Sequence, residues 1–139
     1  MLQSNLSSPP ASPFKPFAIA VYGTLRHGAG ANALFKGSKY LGQDKISGNI
    51  YNLGAYPGLR LDKDGGEVVV DLYEIESPQK LKSLDNYEGY HPEFPESSLY
   101  IREEVLTLEG AMKVSTYVYN NSPRDEQFIK TGDWFDVQY

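Results

Sequence analysis

The chain contains no cysteine in its 139 residues. Disulfides, thiolate metal sites and cysteine nucleophiles are thereby excluded, and the composition fits a reducing, cytoplasmic setting. Histidine occurs only at His27 and His91. That is no ligand spacing, so no metal site is expected. A Ser-His-Asp arrangement stays open, but no nucleophile-elbow motif supports it. Basic residues are scarce and scattered, 13 Lys and Arg against 18 Asp and Glu, for a net charge of −5. A nucleic-acid partner would need a concentrated basic face, so none is expected. Apolar runs are too short to span a bilayer, so no membrane association is expected either. The glycines after Tyr22 carry no Gly-Lys-Ser/Thr and have the wrong spacing for a dinucleotide fingerprint.

What is present suffices for one domain with a single core, with 40% hydrophobic residues. The first 16 residues, "MLQSNLSSPPASPFKP", are rich in Ser and Pro and carry one charge, Lys15. They lack the apolar stretch of a secretory signal and read as a disordered tail before a domain spanning 17–139. Strand-like segments dominate that domain. They are Phe17–Tyr22, apolar on both faces and so a central strand, then Asn49–Leu53, Val68–Ile75, Leu99–Leu108 and Met112–Tyr119. The last two should pair antiparallel across a turn at Glu109-Gly110. Gly54, Pro57 and Gly58 should force a turn. Helices are expected at Asn32–Lys36 and at Pro78–Glu88. The second has Ser77 as N-cap, proline at its first position and Gly89 as its stop. A long loop, "GYHPEFPESS", follows.

The second helix carries a carboxylate on its apolar side. Leu81 and Leu84 must face the core, and Glu88 lies seven and four residues beyond them, on the same face. Asp85 falls at that face's edge. Burying an unpaired charge is costly, and a helix C-terminus further disfavours a carboxylate. Both effects raise the pKa and suit Glu88 to exchange a proton near neutral pH. The ordinary alternative is a solvated glutamate at a frayed end. The strand "FAIAVYGTLR" poses a similar choice, since it stops abruptly at Gly23. Either the chain makes a tight turn there, or bare backbone N–H groups form an anion-binding concavity.

These segments fall in a particular order: "VYGTLRHG", "ANALF", "SGNIYNLGAYPGL", "LYEI", "LKSLDNYEGY", "LYIREEV", "TYVY" and "TGDW". The order resembles the γ-glutamylcyclotransferase-like family, in its AIG2-like branch, over about Ala18 to Trp134. The resemblance implies an α+β fold, a small mixed β-barrel flanked by short helices. It also implies an intramolecular aminolysis of a small-molecule γ-glutamyl substrate to 5-oxoproline and a released amine, with no cofactor. It places Tyr22, Gly23, Thr24 and Leu25 around the glutamyl head group, largely through backbone amides. It makes Glu88 the catalytic carboxylate and sets Tyr100 at the site. Arg102 alternates onto the face of Tyr100 and is grouped with it. Two departures bear on the pocket. Val70 stands where many relatives have glycine and could narrow the barrel, and the 91–98 loop is expected to border the leaving-group side. Fold does not fix function. A non-catalytic ligand-binding domain and a tyrosine-surface interaction module are the competing readings, and a cavity holding Glu88 would discriminate against both.

Overall fold

The computed structural model describes residues 14–137. The expected tail lies outside the described residues except at its end. There Phe14 is half-buried, with its ring 6.0 Å from Phe17. Six strands form one sheet: β1 (Phe17–Val21), β2 (Tyr40–Asn52), β3 (Pro57–Leu61), β4 (Gly66–Ile75), β5 (Tyr100–Leu106) and β6 (Lys113–Tyr119). Their order is β3-β2-β4-β1-β6-β5. β1 is central, parallel to β6 and antiparallel to β4, and the remaining pairs are antiparallel, so the sheet is mixed. The one α-helix described, α1 (Pro78–Glu88), follows β4, and short 3-10 turns connect the rest. No helix among the described residues is long and apolar enough to cross a membrane.

The sheet curls into a half-barrel, and each face buries a separate core. Alternation along β1 divides the residues. Ala18, Ala20 and Tyr22 point into the curl with Ile46, Ile50, Leu59, Val68, Val70 and Trp134. Ile19 and Val21 point outward, beneath Leu25, Phe35, Tyr73 and Leu84. This is why β1 reads as apolar throughout. Val70 is fully buried inside the curl and fills the interior. Curling returns the edge strand β3 towards β6. A side chain on Gly58 would meet the Tyr119 ring at 3.0 Å, and Arg60 donates to the Tyr119 carbonyl.

Three sequence expectations need correction. Pro57 and Gly58 do not turn the chain. The turn lies earlier, at Gly54 (φ 117°), where the Asn52 side chain accepts the Gly54 N–H. Pro57 instead starts an edge strand, a place where its missing N–H is tolerated. The strand expected at Asn49–Leu53 is the end of the 13-residue β2. Its first half, "YLGQDKISG", hides the alternation behind polar residues and two glycines, although Asp44 and Ile46 are buried. Asn32–Phe35 is a single 3-10 turn rather than an α-helix. Helix α1 keeps its expected bounds. The Ser77 hydroxyl accepts the Lys80 N–H at 3.1 Å, and Gly89 ends the helix in the left-handed conformation (φ 68°). Leu84 is fully buried and Leu81 half-buried.

The C-terminal segment is stitched onto the mouth of the curl. Ile129 donates to Ile50 and Val69 donates to Gly132, each at 2.9 Å. Gly132 has a φ of 72°, and a Cβ there would sit 1.9 Å from the Glu67 carbonyl. Gly132→Ala is therefore expected to cost more than about 2 kcal/mol by urea unfolding, since strain and overlap add. A loss below about 0.5 kcal/mol would show that this segment detaches without consequence.

Candidate active site

β1 ends at Val21, and the chain at once makes a turn in which Arg26 donates to the Gly23 carbonyl at 3.0 Å. The N–H groups of Thr24 and Leu25, inside that turn, find no acceptor among the described residues. The turn forms one wall of a cavity of about 250 Å3. Tyr22, Gly23, Thr24, Leu25, Glu88 and Tyr100 all line it, joined by Tyr56, Pro57, Tyr87, Leu99 and Tyr117. Gly23 is not in a left-handed conformation. It is required because Pro57 packs against it, and a Cβ would lie 2.6 Å from the proline ring.

Glu88 joins the lining from the last turn of α1. The cavity leaves it half-exposed, while protein packs around it on the other sides. Its carboxyl has no hydrogen-bond or ion-pair partner among the described residues, and burial pushes its pKa up to about 8. Desolvation of an unpartnered acid has this effect. Two phenols flank it without touching it. Tyr22 donates to the Tyr117 carbonyl at 2.5 Å and accepts the Leu59 N–H at 3.2 Å. Tyr100 donates to the Pro57 carbonyl at 2.5 Å. Burial first, then neighbouring phenols and the Glu88 carboxyl, push both phenols well above their ordinary value. At the rim, Tyr87 shares a 2.8 Å hydrogen bond with the Thr24 hydroxyl, tying the turn to the helix.

The turn is anchored from behind by Arg26, which is 2% exposed. Its Nε lies 3.0 Å from Asp71 on β4, its Nη1 lies 2.5 Å from Asp133, and its guanidinium stacks 3.9 Å from the Phe135 ring centroid. Asp71 also accepts the His27 N–H and the Tyr40 hydroxyl.

Arg102 does not belong to the cavity. It shares its strand face with Tyr100 but lies two residues along β5, beside α1, where it pairs with Asp85. Asp85 also accepts the Tyr117 hydroxyl at 2.7 Å, so this pair braces the cavity wall from outside. No cationic side chain among the described residues lines the cavity. The 91–98 loop does not border it either. Ser98 accepts the His91 N–H, and Asn120 holds the carbonyls of Pro95 and Ser98, folding the loop against the outer side of α1. Sequence reasoning missed Tyr56, Tyr87 and Tyr117. Tyr87 was detectable beside Glu88, and Tyr56 beside Pro57. Arg26 and Asp133 stood within the strings "YGTLR" and "TGDW", but nothing local shows that they meet.

A curled, mixed six-stranded sheet with a single α-helix packed on it is the fold of the AIG2-like half-barrels. The chain belongs to the family described as gamma-glutamyl cyclotransferase, AIG2-like, whose model matches residues 19–136. A relative from Halalkalibacterium halodurans, named for the same activity class, is 43% identical over 94 residues, covering 66% of this chain and 81% of its own. The gamma-glutamylcyclotransferase family protein YtfP of Escherichia coli is 31% identical over 119 residues, 85% of this chain and 96% of that one. A crystal structure from Pyrococcus horikoshii superposes with a TM-score of 0.67 at 29% identity, covering 85% of this chain and 89% of the other.

Two stability measurements follow from this geometry. Arg26→Met leaves Asp71 and Asp133 without their cation and should cost about 3–5 kcal/mol in urea unfolding. Adding Asp71→Asn should recover part of that loss, because the two positions are coupled. Simple additivity would mean that the pair contributes nothing as a pair. The Glu88 carboxyl binds its proton more tightly folded (about 8) than at its ordinary value of 4.5. Its contribution to stability is therefore full below about pH 4.5 and is lost as pH rises through 8. Glu88→Gln needs no proton, so its melting temperature should gain on wild type steadily from pH 5 to pH 8. A constant difference would place the carboxyl in solvent.

Proposed function

We propose that this chain is a γ-glutamyl cyclotransferase that converts a small γ-glutamyl compound into 5-oxoproline and a free amine. One observation carries the reading: Glu88 is an unpartnered carboxyl, raised to about 8, in the lining of a cavity that it shares with the turn of Thr24 and Leu25, whose backbone N–H groups have no acceptor among the described residues. A bound α-ammonium would supply the partner that Glu88 lacks. Ordinary α-amino groups titrate at about 8, so the proton passes between them at little cost. The freed amine attacks the γ-carbonyl of the same molecule, forming the ring C–N bond. The former amide C–N bond then breaks as Glu88 returns its proton to the leaving nitrogen, and the extra proton left on the ring nitrogen follows by way of the same carboxylate, so the amine departs as an ammonium and Glu88 is again ionised. Atoms and charges balance without water or any other reactant.

The remaining groups hold the geometry. With no cation among the described lining residues, the substrate carboxylate or the developing oxyanion is left to the N–H groups of Thr24 and Leu25. An oxyanion donor of this type is typically worth ~3–4 kcal/mol. Tyr22, Tyr100 and Tyr117 form a firm wall because their hydroxyls are already committed to protein acceptors. Folding the substrate so that amine meets carbonyl supplies proximity at no further cost to the protein.

Wild-type kcat/KM for 5-oxoproline release should rise with pH and level off near pH 8, as Glu88 ionises. Glu88→Gln should lose about 10²- to 10⁴-fold in turnover while still binding a γ-glutamyl ligand by calorimetry. Near-wild-type turnover in that variant would remove Glu88 from the chemistry. A wild-type protein that binds a broad γ-glutamyl panel and releases no 5-oxoproline would be a ligand-binding domain instead.

A further inference from the structure

The turn after β1 is held unevenly. From behind it is fixed several times over. The Arg26 N–H donates to the Gly23 carbonyl at 3.0 Å and the Ala31 N–H to the Thr24 carbonyl at 2.8 Å. The Asn32 side chain donates to the Leu25 carbonyl at 3.0 Å. Towards α1 the turn has a single tie. The Thr24 and Tyr87 hydroxyls lie 2.8 Å apart, and no other hydrogen bond among the described residues joins residues 22–27 to the helix.

Tyr87 is 47% exposed, too far out to serve the core. A tyrosine so placed can leave its hydroxyl in water. Here the hydroxyl reaches across the rim of the cavity instead. It runs from the residue beside Glu88 to the residue that carries one of the two acceptorless N–H groups. A threonine hydroxyl without such a partner turns to backbone groups near it. The first within reach would be those of its own turn.

We infer that Tyr87 is a positioning residue, whose hydroxyl holds Thr24 and so keeps the N–H groups of Thr24 and Leu25 open and in register with Glu88. This rests on the cyclotransferase reading of the cavity. Tyr87 takes no proton and makes no bond in the reaction. Donors aimed at a developing oxyanion act by being set in advance. Loosening them therefore costs more in the transition state than in the bound substrate.

Tyr87→Phe keeps the ring and deletes the hydroxyl. Its melting temperature should match wild type, since the lost bond is exposed. Amide relaxation by NMR, with no ligand added, should show Thr24 and Leu25 losing order while Arg26 keeps it. Turnover is measured on γ-glutamyl-alanine and γ-glutamyl-butylamine, and the faster wild-type substrate is used throughout. There kcat should fall about three- to tenfold, the scale of one hydrogen bond, with KM within about twofold. Thr24→Val should lose at least as much, and adding Tyr87→Phe to it should cost nothing further. Unchanged order at Thr24 and Leu25 would overturn the inference, whether or not the protein cyclises anything. Unchanged kcat, a loss confined to KM, or additive losses in the double variant would overturn it too. Amides that loosen in Tyr87→Phe, in a protein that releases no 5-oxoproline, would leave Tyr87 as the tie that sets the turn and sink the catalytic reading alone.

Discussion

The buried Arg26 guanidinium is the constraint on which the rest of the site depends. It joins three parts of the chain at one point: the turn after β1, Asp71 on β4 and Asp133, next to the Gly132 that β4 already holds. A buried ion pair is weak evidence for stability, because desolvation consumes most of the Coulombic gain. Its use here is geometric. A guanidinium held from two sides and stacked on Phe135 has one position, and that position sets the turn carrying Thr24 and Leu25. Hydrophobic residues could fill the same space but would not fix the direction of two N–H groups.

The Glu88 carboxyl in the same cavity lining is placed by a different device. Ser77 and Gly89 fix where α1 starts and stops, and Leu84 fixes which side faces the sheet. With both ends and one face determined, Glu88 falls on the side of α1 that lines the cavity. Nearby polar groups are engaged elsewhere. Tyr22 and Tyr100 donate to backbone carbonyls, and the Arg102–Asp85 pair lies behind the wall. The carboxyl is thus left unsatisfied by a structure that satisfies its neighbours, and such exceptions mark functional sites.

Much of this was legible in the sequence, for identifiable reasons. Helix α1 could be bounded to the residue because its caps are local chemistry, and the face of Glu88 followed from helical spacing alone. The strand β1 and the β5–β6 hairpin were plain from apolar and β-branched runs. What stayed hidden was non-local. The first half of β2 is polar and glycine-bearing, so its strand character comes from pairing with β4 rather than from its own pattern. Pro57 reads as a turn former until the edge position that tolerates it is known. Arg102 alternates correctly with Tyr100, but alternation says nothing about which neighbour claims the side chain. Arg26 looks like any loop arginine, because its two partners lie 45 and 107 residues away.

That last separation bears on how the protein comes into being. On the ribosome, the turn at Gly23–Arg26 emerges well before Asp133, which lies 107 residues further on. Until Asp133 appears, the guanidinium has only one of its two carboxylates, and the strap through Ile129 and Gly132 cannot close. Contacts this distant in sequence also form slowly. A chain clipped between Tyr119 and Ile129 would keep the six described strands and lose the second anchor of the turn.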